Sequence, residues 1–250
     1  MIIDTKKIVE KVKSQYKTPV FCVLGGSRCY GIYNQDTPYV ITGSYAASIV
    51  DESGIYKQAP EEEASIHKAP KADAPLIWEM QEIGYLVKRL KSDDLSAFEE
   101  INSPFVFLET PKFRELKDIS RKILSAALLK PIQERIEKKK QVFLSHESPT
   151  NSDILELARD YMQGVYLFRM KKFVVSVKRL NEYFELGIIT SILDNMNRKN
   201  ENYYLGSPGD AEKLFAFLHD EFNSAIEYSI LPETAENKDS MLSGYLRSLR

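Results

Sequence analysis

The sequence predicts an α+β protein: a small mixed sheet with flanking helices, followed by a mostly helical C-terminal lobe. Three observations carry this. Residues 19–24, PVFCVL, are a continuous apolar run of strand length. Residues 39–50 are rich in β-branched and aromatic residues, and the turn-forming NQDTP segment separates them from that run. Beyond residue 108 apolar residues recur at helical spacing, with breaks at HESPTN, Gly187 and GSPG. The natural division is therefore into a mixed domain, 1–108, and a helical domain, 109–250.

Taken in order, Asp4 or Thr5 caps a first helix whose Ile8, Val9, Val12 and Tyr16 share one face, and Pro19 marks its end. Two neighbouring strands follow, PVFCVL and 39–50. Residues 51–75 hold three prolines and no sustained period, which reads as a long loop. From Trp78 onward, Met80, Ile83, Val87 and Leu90 fall three or four apart and predict a helix. The SDD at 92–94 caps a second helix through Phe98 and Ile101, closed by Pro104. Further helices are expected over 111–143, 152–172, 175–186 and 210–226.

Composition narrows the function classes. In this chain of 250 residues, 43% hydrophobic and 28% charged content leave no room for wholesale disorder. Thirty-four Lys and Arg against 36 Asp and Glu give a net charge of -2, so any nucleic-acid contact must be local. The two cysteines, Cys22 and Cys29, fit neither a disulfide framework nor a zinc site, and a reducing cytoplasm is the expected location. The N-terminal residues lack the apolar core of a signal peptide. No run approaches the roughly 20 apolar residues of a membrane span, so no membrane partner is expected.

The segment with most chemical content is GSRCYG, residues 26–31. Glycine permits close backbone approach, Ser27 offers a hydroxyl beside backbone amides, and Arg28 adds a fixed cation; Gly26, Ser27 and Arg28 together suit a triphosphate. A plain structural turn has the same composition.

GSRCYG, a turn, and a strand ending in GSYA resemble the DNA polymerase β superfamily of nucleotidyltransferases, in particular its bacterial and phage branch linked to RNA repair. That branch carries GSRxYG and then SDxDxRG with Val-Tyr close behind. Gly26, Ser27, Arg28, Tyr30 and Gly31 match the first block, and Gly43 and Tyr45 match the end of the second. Residues 77–104 and 229–246 resemble the family's helix pair with its Ser-Pro and its closing segment. The resemblance implies a nucleotidyltransferase-type sheet, a nucleotide held by residues 26–28, and Mg²⁺ with an NTP where catalysis persists.

The departures bear on that chemistry. The two metal-binding aspartates of the family would fall at Pro38 and Val40, and the arginine that follows at Thr42. Nucleotidyl transfer of this kind uses two Mg²⁺ ions about 3.5–4 Å apart. Hard cations need oxygen ligands, which proline and valine side chains lack. The third carboxylate would fall near Ala74; Asp73 is one residue off, which on a strand reverses its facing. Replacement ligands would have to come from Asp36, Asp51 or Asp73, although in NQDTP an aspartate bonding its own backbone is the simpler reading of Asp36.

His67, His146 and His219 lie in separate elements without metal-ligand spacing. Cys29 has a cation beside it but no nearby histidine to act as base. Arg169, Lys171, Lys172, Lys178 and Arg179 form a basic stretch that could track a nucleic-acid backbone, with IQERIEKKK, 132–140, as a second. A solvated helix face has the same composition. Tyr161, Tyr166, Phe168, Tyr183 and Phe184 read as core in preference to a base-stacking platform. Three functions remain open. One is a nucleotidyltransferase-like protein without catalysis that binds a nucleotide, an RNA or DNA end, or a protein partner. Another is an active enzyme moving a nucleotide from an NTP to RNA or a protein hydroxyl with displaced carboxylates. The last is a structural or partner-binding protein with a silent pocket.

Overall fold

Five short strands pair into one mixed sheet, with β1 buried along nearly its whole length. In this computed structural model, which describes residues 4–47, 65–67, 74–146, 148–199, 202–204 and 206–249, the strands are β1 (Pro19–Gly25), β2 (Tyr39–Tyr45), β3 (Ser65–His67), β4 (Leu76–Glu82) and β5 (Val106–Glu109). Their order is β3-β4-β2-β1-β5. β1 runs antiparallel to β2 and β5, β2 runs parallel to β4, and β3 is antiparallel to β4. The molecule is an α+β protein whose remaining elements are helices.

The chain divides into two compact units. The first takes residues 1–28, 36–123 and 236–250. On one sheet face Cys22, Leu24, Tyr39, Ile41, Trp78 and Met80 form a core with Ile8 and Val12 of α1 (Thr5–Gln15). The Asp4 carboxylate caps α1 by accepting from the amides of Lys6 and Lys7. On the other face Phe21 stacks on Phe113, ring centroids 4.2 Å apart. Phe113 belongs to α5 (Pro111–Lys122), which packs with α4 (Leu95–Ile101) and α11 (Lys238–Ser248), and α3 (Ile83–Lys91) packs with the same two helices. The Ser103 hydroxyl donates to the Leu24 carbonyl at 2.7 Å, which is the local work of the Ser-Pro pair.

The second unit takes residues 29–35 and 124–235. Its axis is α7 (Asn151–Met170), started by a capping box between Thr150 and Asp153. Against it pack α6 (Leu129–Ser145), α8 (Val177–Phe184), α9 (Gly187–Lys199) and α10 (Pro208–Glu227).

Several expectations need correction. Residues 76–82 are strand, not the start of a helix: Trp78 and Met80 alternate into the core, and helical spacing begins only at Ile83. The helix expected over 111–143 is broken after Lys122, where Ile123, Leu124 and Leu128 are buried around a 3₁₀ turn and the Ala126 amide donates to the Pro232 carbonyl at 2.8 Å. Gly187 opens α9 instead of breaking the chain; the reversal falls at Glu185, with φ 55°. A single cut at residue 108 also departs from the observed units, because α5 packs on β1 and α4, and α11 returns to α3 and α5.

Candidate functional site

β1 ends in the glycine pair of the motif. Gly26 has φ +62°, a conformation that side chains disfavour, and it opens a short helix, α2 (Gly26–Tyr30). A Cβ on Gly26 would lie 3.0 Å from Val40 Cγ2, and one on Gly25 would lie 2.9 Å from Thr42 Cγ2. The methyl groups of β2 thus pack against the turn. Arg28, 8% exposed, donates from Nε to the Thr37 carbonyl at 2.7 Å. Its guanidinium carbon lies 3.8 Å from the Tyr39 ring centroid. The motif arginine therefore clamps the entrance of β2 through a hydrogen bond and a cation–π contact. Ser27 is half-buried.

The later matched residues have packing partners too. A Cβ on Gly43 would lie 2.3 Å from the Phe21 carbonyl oxygen and 3.0 Å from Cys22 Cα, so only glycine lets β1 and β2 approach this closely. Tyr45 stacks on Tyr16 with centroids 4.6 Å apart.

Register places the strand positions on a common face: Val40 pairs with Ile77, Thr42 with Glu79 and Ser44 with Gln81. Sequence reasoning missed the polar cluster here, because it joins β2 and β4 to α3 and α4. Thr42, at the position the resemblance gives to arginine, hydrogen-bonds Glu100. Glu100 also accepts from Arg89 Nη1 at 2.6 Å and from Gln81 Nε2 at 2.7 Å, while Arg89 Nε donates to Asp94 at 2.8 Å. Burial pushes the Glu100 carboxyl up to about 6, against the pull of Arg89. Asp94 goes the other way: its burial is outweighed by Arg89, and its carboxyl is lowered.

The metal implied by the resemblance does not fit this donor set. Pro38 and Val40 offer no side-chain oxygen. Asp36 is exposed in the turn ahead of β2, and Asp51 and Asp73 lie outside the described residues. Glu79 shares the face of Val40 but is exposed. Among the described residues no group of three or more His, Cys, Asp and Glu side chains is arranged to hold a metal.

In the second unit, Tyr30 lies beneath Arg159, whose guanidinium carbon is 3.8 Å from the ring centroid and which is itself 1% exposed. Cys29 is buried. His146 bonds Asp153 at 3.0 Å, His219 bonds Asn223 at 3.1 Å, and His67 lies in β3, so the three histidines belong to separate elements. The basic stretch is split in two by its partners. Arg169 bonds Glu221 at 2.7 Å and Ser224 at 3.2 Å. Lys171, Lys172, Lys178 and Arg179 are exposed, and none makes an ion pair among the described residues. Of the aromatic residues, Tyr161 and Phe168 are core as expected, but Tyr183 is 41% exposed. Its outward direction follows from α8, whose buried face is Val177, Leu180 and Asn181.

Scanned against protein-family models the chain matches none, and a search of curated proteins finds no match.

Proposed function

We propose that this chain is a catalytically silent nucleotidyltransferase-like protein that works by binding, with nucleic acid as the ligand class. The observation that carries the proposal is Val40: it stands where the resemblance calls for a metal-binding aspartate, and its methyl group packs against Gly26 of the motif. An apolar contact there offers nothing to a hard cation. The engagement of Arg28 with Thr37 and Tyr39 argues against a free triphosphate as the main ligand, since the guanidinium would have to give up both contacts. The exposed cations Lys171, Lys172, Lys178 and Arg179 favour a phosphate backbone instead.

Calorimetric titration with ATP, GTP, CTP and UTP, with and without Mg²⁺, tests the reading. The expected result is no Mg²⁺-dependent binding in the native chain. The double variant Pro38→Asp/Val40→Asp should gain measurable Mg²⁺ affinity without strong transferase activity, because incomplete sites act non-additively. Mg²⁺-dependent nucleotide binding by the native chain would overturn the reading.

A further inference from the structure

We infer that the outer face of the α7–α8 hairpin is a stacking platform for single-stranded nucleic acid, centred on Tyr183. The inference rests on the binding reading above and specifies its ligand and its residues.

Tyr183 is an exposed aromatic held in place from below. Its ring meets Tyr166 edge-on with centroids 5.4 Å apart and Phe184 edge-on at 5.1 Å. Its hydroxyl interacts electrostatically with Arg169, which Glu221 and Ser224 fix in place. A ring exposed yet anchored at its edge can receive a base with little loss of side-chain freedom. Cations flank it. Arg179 lies one helical turn before Tyr183 on the same side of α8, Lys178 precedes Arg179, and Lys171 and Lys172 follow the end of α7.

Single strands suit this surface better than duplex, since only an unstacked base can lie on an aromatic ring. Stacking on a ring does not read a base edge, so recognition should tolerate sequence. The exposed acids Glu182 and Glu185 interleave with the cations and hold the affinity to a modest level.

The test is fluorescence anisotropy of the full chain with labelled oligothymidylate and oligouridylate, each about 16 nucleotides long. Both should bind, more tightly than a duplex of equal length. Tyr183→Ala should weaken binding about tenfold, within the range for loss of one base stack. Tyr183→Phe keeps the ring and should stay within about twofold, which separates stacking from the hydroxyl contact. Lys178→Ala/Arg179→Ala should make the log–log salt slope shallower by about 1.4, at about 0.7 per neutralised phosphate on a single strand. Binding unchanged in Tyr183→Ala and in the double variant would overturn the platform while leaving the binding reading intact. Absence of binding to any oligonucleotide would overturn both. Displacement by polyglutamate as effective as by an oligonucleotide would mark the face as a site for acidic protein segments and would also overturn it.

Discussion

The glycine-turn region and the α7–α8 hairpin use their polar side chains in opposite ways. Around the motif the hydrogen-bonding groups turn inward: Arg28 grips Thr37 and Tyr39, and Thr42 joins Glu100 and Arg89. On the α7–α8 hairpin the cations Lys171, Lys172, Lys178 and Arg179 turn outward, beside an exposed Tyr183. Residues of similar chemistry therefore hold the fold in one region and are available to a ligand in the other. Burial and partners decide which, and residue type does not.

The largest effect expected from this contrast is at Gly43. Gly43→Ala would drive a Cβ into the Phe21 carbonyl, at 2.3 Å, with backbone on the far side and no flexible group to yield. A loss of about 3 kcal/mol or more, at the top of the overpacking range, should appear in urea unfolding.

Arg28→Ala comes next. It deletes a charged hydrogen bond and a cation–π contact at a residue 8% exposed, for about 2–3 kcal/mol by the same measurement. Wild-type stability in the variant would show that Arg28 is kept for a ligand.

A pH series sharpens the account of the inward cluster. Burial raises the Glu100 carboxyl from 4.5 to about 6, so the folded state holds this proton more tightly than the unfolded chain. The resulting stabilisation is fully present below pH 4.5 and is lost as pH rises through about 6. It is on the order of 2 kcal/mol. Glu100→Gln should flatten the stability profile across that window.

The smallest effect belongs to the outward region. Lys178→Ala/Arg179→Ala should change stability by no more than about 0.5 kcal/mol, as expected for exposed positions without partners. A larger loss would mean that these cations belong to the fold.

How much of this was legible in the sequence followed range. Local signals were readable: Asp4 and Asp94 cap their helices, and PVFCVL pairs with the strand that begins at Tyr39. β4 was not readable. Its period of two at Trp78 and Met80 runs straight into the helical period that starts at Ile83, and a parallel partner leaves no hairpin turn to announce it. The break expected at Gly187 falls at Glu185, which takes the left-handed conformation that glycine usually supplies. At the candidate site the residue types were legible and their orientation was not. Nothing near Arg28 in sequence says that Tyr39 will lie beneath it. Nothing in the spacing says that Glu100, on α4, will meet Thr42 on β2.

The central claim is that the glycine turn and β2 retain structural work without nucleotidyl transfer. Its most direct test is incubation of the native chain with each α-labelled NTP, Mg²⁺ and an RNA acceptor, followed by gel autoradiography. The account predicts no label on RNA or on the protein itself, with or without Mg²⁺. Mg²⁺-dependent label on either one, abolished by Arg28→Ala in a chain that remains folded, would contradict it.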